Sequence, residues 1–131
     1  MIRAQIPAEL QYRDLAIRLV ASACKLVPSA GGGFFNEVIS AFGEAFNNVI
    51  LHGGEPGAPG IEIALDPRAD RLVIQLQDHG RSFDPRTAPE PDLESLPEGG
   101  MGVFIMRSFM DEISYQAGPP NTLTMTKYLT E

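Results

Sequence analysis

Glu44 and Asn48 stand four residues apart in a segment whose apolar residues repeat at helical spacing. On a helix that spacing puts the carboxylate and the amide on one face. At ~100° per residue this face lies roughly opposite Phe35, Phe42 and Phe46. Such a pair can simply be a solvated helix face. It can also do chemistry: a carboxylate acting as base beside an amide oxygen that ligates Mg²⁺, since hard cations prefer oxygen donors. His52, one turn further on, suits a helix end, where the dipole favours it, better than a ligand set.

A second set, Asp78-His79-Gly80-Arg81-Ser82-Phe83-Asp84-Pro85, directly follows an alternating strand pattern. A carboxylate at a strand end can accept a hydrogen bond from an adenine amino group, and Gly80 lets a base approach the backbone. The plainer alternative is an Asp-containing turn. The third set, Glu98-Gly99-Gly100-Met101-Gly102-Val103, enters a short apolar helix. Its N–H groups can cradle phosphates, reinforced by the helix dipole; otherwise it is a hinge. It is not a Walker motif, because no Gly-Lys-Ser/Thr follows.

These sets need elements to hold them. Ile2, Ala4 and Ile6 alternate and predict an opening strand stopped by Pro7. From Glu9 to about Val27, the residues Leu10, Leu15, Ile17, Leu19, Val20, Ala23 and Val27 predict an amphipathic helix. A Gly-rich break leads to a second helix over about Phe34–His52, terminated by Gly53 and Gly54. Strands are predicted around Ile61–Leu65 and Leu72–Leu76, with Asp66–Asp70 as the turn. A long Pro/Gly-rich loop then precedes a helix over about Gly102–Met110. Two closing strands follow, around Ile113–Tyr115 and Leu123–Met125, across a Gly-Pro-Pro-Asn turn.

At 131 residues and 44 % apolar content the chain suits one compact domain with a buried core. No apolar run reaches the ~18 residues needed to span a bilayer, and the first residues lack a signal-peptide layout. The single cysteine, Cys24, excludes an internal disulfide or a cysteine-rich metal site. A cytoplasmic location is expected. The net charge of −7 argues against direct nucleic-acid binding. An acidic chain can still hold an anionic nucleotide through backbone N–H groups and a metal ion.

Taken together, the motifs carry a resemblance. Glu44-Ala45-Phe46-Asn47-Asn48-Val49-Ile50-Leu51-His52-Gly53 resembles the N box of the histidine-kinase-like (GHKL) ATPases. Asp78 to Pro85 resembles their first glycine box, and Gly99-Gly100-Met101-Gly102 the second. Met106 to Ile113 continues the pattern of the anti-sigma-factor serine/threonine kinases. The resemblance spans essentially the whole chain and implies the Bergerat ATP-binding fold. That fold is an α+β two-layer sandwich, with a mixed, mainly antiparallel sheet of about five strands covered on one face by about three helices.

By position, the resemblance makes Glu44 the catalytic base and Asn48 the Mg²⁺ ligand. Asp78 would bind the adenine amino group and Gly80 would shape that pocket. Gly99, Gly100, Met101 and Gly102 would contact phosphates, under a lid over about 86–100. Two positions depart from the pattern. Ser82 stands where a second glycine is usual. Glu98 stands where some relatives carry an arginine, leaving Arg86 the only lid arginine.

The implied activity is ATP-dependent phosphorylation of a STAS-domain anti-anti-sigma partner, combined with sequestration of a sigma factor, by a homodimer. An ATP-gated binding module without phosphoryl transfer is one alternative. A detached sensor histidine kinase domain is another, though no dimerising helix with a phosphoacceptor His is present.

Overall fold

The computed structural model describes residues 1–28, 30–52, 59–82, 84–87 and 100–129. β1 (Ile2–Ile6) leads through a 3-10 turn (Leu10–Tyr12) into α1 (Arg13–Cys24) and α2 (Gly32–Leu51). β2 (Ile61–Pro67) and β3 (Arg71–Asp78) follow, then a second 3-10 turn (Pro85–Thr87) and α3 (Gly100–Phe109). β4 (Glu112–Gln116) and β5 (Asn121–Tyr128) close the fold. The strands form one sheet in the order β1-β2-β3-β5-β4.

Every pairing in this sheet is antiparallel, where a mixed, mainly antiparallel sheet was expected. The connections explain it. Two helices lie between β1 and β2, so the chain crosses the sheet twice and returns running the opposite way. The single helix between β3 and β4 would give parallel neighbours, but β5 inserts between those two strands and pairs with both.

Alternation along the strands makes one face of the sheet apolar. Ile63, Leu76 and Leu123 lie opposite one another in register, as do Leu65, Ile74 and Met125. These residues are buried and meet Val38, Phe42, Phe46 and Met106 from the helices. The other face carries Gln75, Gln77, Thr122 and Thr124, with Gln77 Nε2 donating to Thr122 Oγ1 at 3.4 Å. An α+β sandwich with helices on one face results, as the residue pattern required.

α1 departs from its expected outline. Residues 10–12 form the 3-10 turn, and the α-helix proper starts at Arg13. Leu10 and Leu15, expected in the core, are exposed; the buried positions are Ala16, Val20, Ala23 and Cys24. Small residues let α1 lie close to α2. Arg13 Nε donates to Asn47 Oδ1 at 2.8 Å, and a side chain at Gly43 would meet the Arg13 guanidinium at 2.6 Å. Among the described residues, no helix is long and apolar enough to cross a membrane.

Candidate nucleotide-binding site

α2 and the carboxyl end of β3 border a cleft of about 350 Å³, counting its open mouth. Val49, Met106 and Leu123 supply apolar walls, while Asn48, His52 and Asp78 bring polar groups to the same space. That mixture of apolar walls and a few convergent polar groups is characteristic of a small-molecule site. Asn48 and Asp78, picked from separate segments of the chain, therefore line one cleft.

Asp78 is the last residue of β3. Its Oδ1 accepts from the Gly80 N–H at 2.9 Å and from Asn121 Nδ2 at 3.2 Å. No hydrogen bond of the described residues uses Oδ2. Asn121 pairs with Asp78 in the β3–β5 register and is buried. Reading the chain alone placed this asparagine only in a turn. The available signal was weak: an amide opening a strand after two prolines.

Glu44 does not line the cleft. Its carboxylate lies against Gly102 in the first turn of α3, so closely that a Cβ at residue 102 would overlap Oε2. The face shared by Glu44 and Asn48 is thus turned towards α3, which packs along α2, and is not a solvated surface. Gly100 and Met101 begin α3. Gly99, Glu98 and most of the expected lid, from 88 to 99, lie outside the described residues, as do Gly53 and Gly54.

Asn48 Nδ2 is buried without a hydrogen-bond partner, alone in this among the described side chains. Leaving an amide donor unpaired costs ~1–3 kcal/mol, so such a group calls for an acceptor from a ligand. No cluster of three or more His, Cys, Asp or Glu residues forms a metal cage among the described residues. Mg²⁺ needs none: it commonly takes one or two protein oxygens and completes its shell with phosphates and water. Asn48 Oδ1, on a side chain that lines the cleft, is one such oxygen, and the unpaired Nδ2 beside it suits a phosphate oxygen.

His52 caps α2, its backbone N–H reaching Asn48 O, and its own carbonyl accepts from the Arg81 N–H at 3.0 Å. This bond ties the helix end to the turn after β3. Burial pushes the imidazole pKa below its ordinary value, with Arg81 adding repulsion and Asp78 partly offsetting both. Arg86 pairs with Asp84 at 2.8 Å and donates to Tyr115 O at 3.2 Å. The lid arginine is anchored to β4 here, not presented as a free cation.

Comparison with known proteins agrees with this fold. Residues 6–127 match the family model described as the histidine kinase-like ATPase domain. The serine-protein kinase RsbW of Bacillus pumilus (strain SAFR-032) is 33 % identical over 143 residues, covering 98 % of this chain and 86 % of the relative. RsbW of Staphylococcus aureus is 32 % identical, with 98 % and 86 % covered. RsbW of Bacillus subtilis (strain 168) is 33 % identical, with 98 % and 85 % covered. The family resemblance carried by the three motifs is borne out, and the chain belongs to the histidine kinase-like ATPase domain family, alongside relatives that are serine-protein kinases.

Proposed function

We propose that this protein is an ATP-dependent serine/threonine protein kinase and anti-sigma factor, the whole chain forming one such domain. It phosphorylates a STAS-type anti-anti-sigma partner and, in another state, sequesters a sigma factor. The observation that carries the reading is the cleft itself, which a braced Asp78 carboxylate and Asn48, with its buried unpaired Nδ2, line together with apolar side chains. The serine-protein kinase relatives support the choice of acceptor class.

Each residue then has a task. Asp78 accepts a hydrogen bond from the adenine amino group, and Gly80 leaves room for the base. Asn48 would hold Mg²⁺ through Oδ1, and the metal offsets charge on the phosphates. Gly99, Gly100, Met101 and Gly102 offer backbone N–H groups to the phosphate chain. Glu44 orients the acceptor hydroxyl and takes its proton as the new O–P bond forms and the bond to the ADP leaving oxygen breaks. The location is cytoplasmic, and a homodimer is the working assembly.

Transfer of labelled γ-phosphate from ATP to a cognate STAS protein tests the proposal in one assay. The expected result is a phosphoserine or phosphothreonine on that partner, lost in Glu44→Gln by ~10²–10⁴-fold. Tight nucleotide binding with no transfer would instead establish the ATP-gated binding module.

A further inference from the structure

Asn121 is 2 % exposed and uses every hydrogen-bonding site of its amide. Oδ1 accepts from Ser82 Oγ at 2.7 Å and from the Gly118 N–H at 2.9 Å. Nδ2 donates to Gly80 O at 2.8 Å and to Asp78 Oδ1 at 3.2 Å. The amide has only one possible orientation, because the Gly118 N–H can only donate and the Gly80 carbonyl can only accept. A buried amide satisfied on all sides is rigid.

We propose that Asn121, supported by Ser82, is a positioning residue that sets which base the cleft accepts, a role that rests on the nucleotide reading above. It acts through Asp78. Two N–H donors, from Gly80 and Asn121, converge on Asp78 Oδ1 and fix the rotation of the carboxylate. Oδ2 is left as the oxygen available to a ligand, held in one direction. A purine with an amino group at position 6 donates to it. A purine with an oxo group there meets it oxygen to oxygen, and the bracing denies the carboxylate a turn that would relieve the contact.

Ser82 belongs to the same unit. It occupies the position where the family pattern usually has glycine, and its hydroxyl is spent on Asn121 Oδ1. Serine at 82, in the turn after β3, and asparagine at 121, at the start of β5, thus complement one another. The pair replaces the room of a glycine with a hydrogen bond that locks the base-reading carboxylate.

ADP and inosine diphosphate differ at position 6 of the purine, so their affinity ratio reads the proposed role directly. Both are titrated by calorimetry into the wild type, Asn121→Ala, Ser82→Ala and Asp78→Asn, and into the double variant Asn121→Ala/Asp78→Asn. The wild type should prefer ADP by about tenfold or more, the worth of one charge-assisted hydrogen bond. Asn121→Ala should lose that preference through weaker ADP binding, with inosine diphosphate little changed. In the Asp78→Asn background it should leave the ratio as it is.

Ser82 is exposed, so Ser82→Ala keeps the fold and should shrink the ratio about threefold. An unchanged ratio in Ser82→Ala overturns the proposal even if Asn121→Ala fails to fold. Equal losses for both nucleotides in Asn121→Ala overturn it too. If the wild type binds neither nucleotide, the nucleotide reading fails along with it; if the wild type discriminates and the variants still do, only this proposal fails.

Discussion

Gly102 on α3 lies against the Glu44 carboxylate on α2, leaving no space for even a methyl group at residue 102. Within a helix, alanine is favoured over glycine by about 1 kcal/mol, so glycine at this position is explained by space and not by helix propensity. Gly102→Ala should displace the proposed base. We expect phosphoryl transfer to fall by ~10²-fold, with no further loss when Gly102→Ala is added to Glu44→Gln. Additive losses in single-turnover assays would show that the two residues act separately.

Asn48 sets stability against function. Its unpaired Nδ2 is a cost in the ligand-free protein, so Asn48→Leu should raise the thermal midpoint by the equivalent of about 1 kcal/mol or more. The same change should remove Mg²⁺-dependent nucleotide affinity and transfer. Calorimetric melting with and without Mg²⁺-ADP checks both halves. A lower midpoint for the ligand-free variant would mean that the amide is already satisfied.

His52 should make the protein sensitive to mild acid. Its folded-state pKa lies below its ordinary value because burial penalises the cation. As pH falls below about 6.5, the unfolded chain takes up the proton first, and stability declines until the folded-state pKa is passed. Above that window the residue contributes no slope. Asp84, held low chiefly by its hydrogen bonds to Arg86, loses its contribution only near and below its ordinary value of 3.8. Denaturant midpoints measured between pH 7 and pH 5 should therefore fall in the wild type and flatten in His52→Gln. Parallel profiles would assign the slope elsewhere.

Lys127 is a charged residue whose removal should be costly. It projects from β5 on the row that carries Leu123 and Met125, and its Nζ donates to Glu37 Oε2 at 2.6 Å and to Phe109 O at 2.7 Å. One ammonium thus joins the sheet, α2 and the last turn of α3. Lys127→Met should cost ~1.5–3 kcal/mol by urea denaturation. Arg18→Ala, which removes a pair with both side chains 76 % exposed, should change stability by well under 1 kcal/mol. Equal effects would remove the distinction between them.

Much of the fold was legible in the residues. The apolar repeat in Phe34–Ile50 marked α2 within two residues at its start, and alternation around Ile61–Leu76 marked β2 and β3. Helical spacing and strand alternation are local periods, and local periods survive in one dimension. α1 was less legible. Leu10 and Leu15 are large and apolar yet exposed, while Ala16, Ala23 and Cys24 are buried. Hydropathy counts side-chain size, but a close helix contact rewards small ones.

The kinds and spacing of the site residues were determined by the sequence alone. Glu44 and Asn48 had to share a helix face, and Asp78 had to end a strand. Only the tertiary structure decided what those groups meet. The β3–β5 register sets Asn121 opposite Asp78, and a slip of one residue would turn the asparagine to the other face of the sheet. The packing of α3 along α2 brings Gly102 to Glu44 and converts an apparently solvated face into a half-buried one. These contacts join residues far apart in the chain, and no period in the sequence encodes them. They follow from burying one apolar sheet face beneath three helices, which fixes the register and the helix positions together.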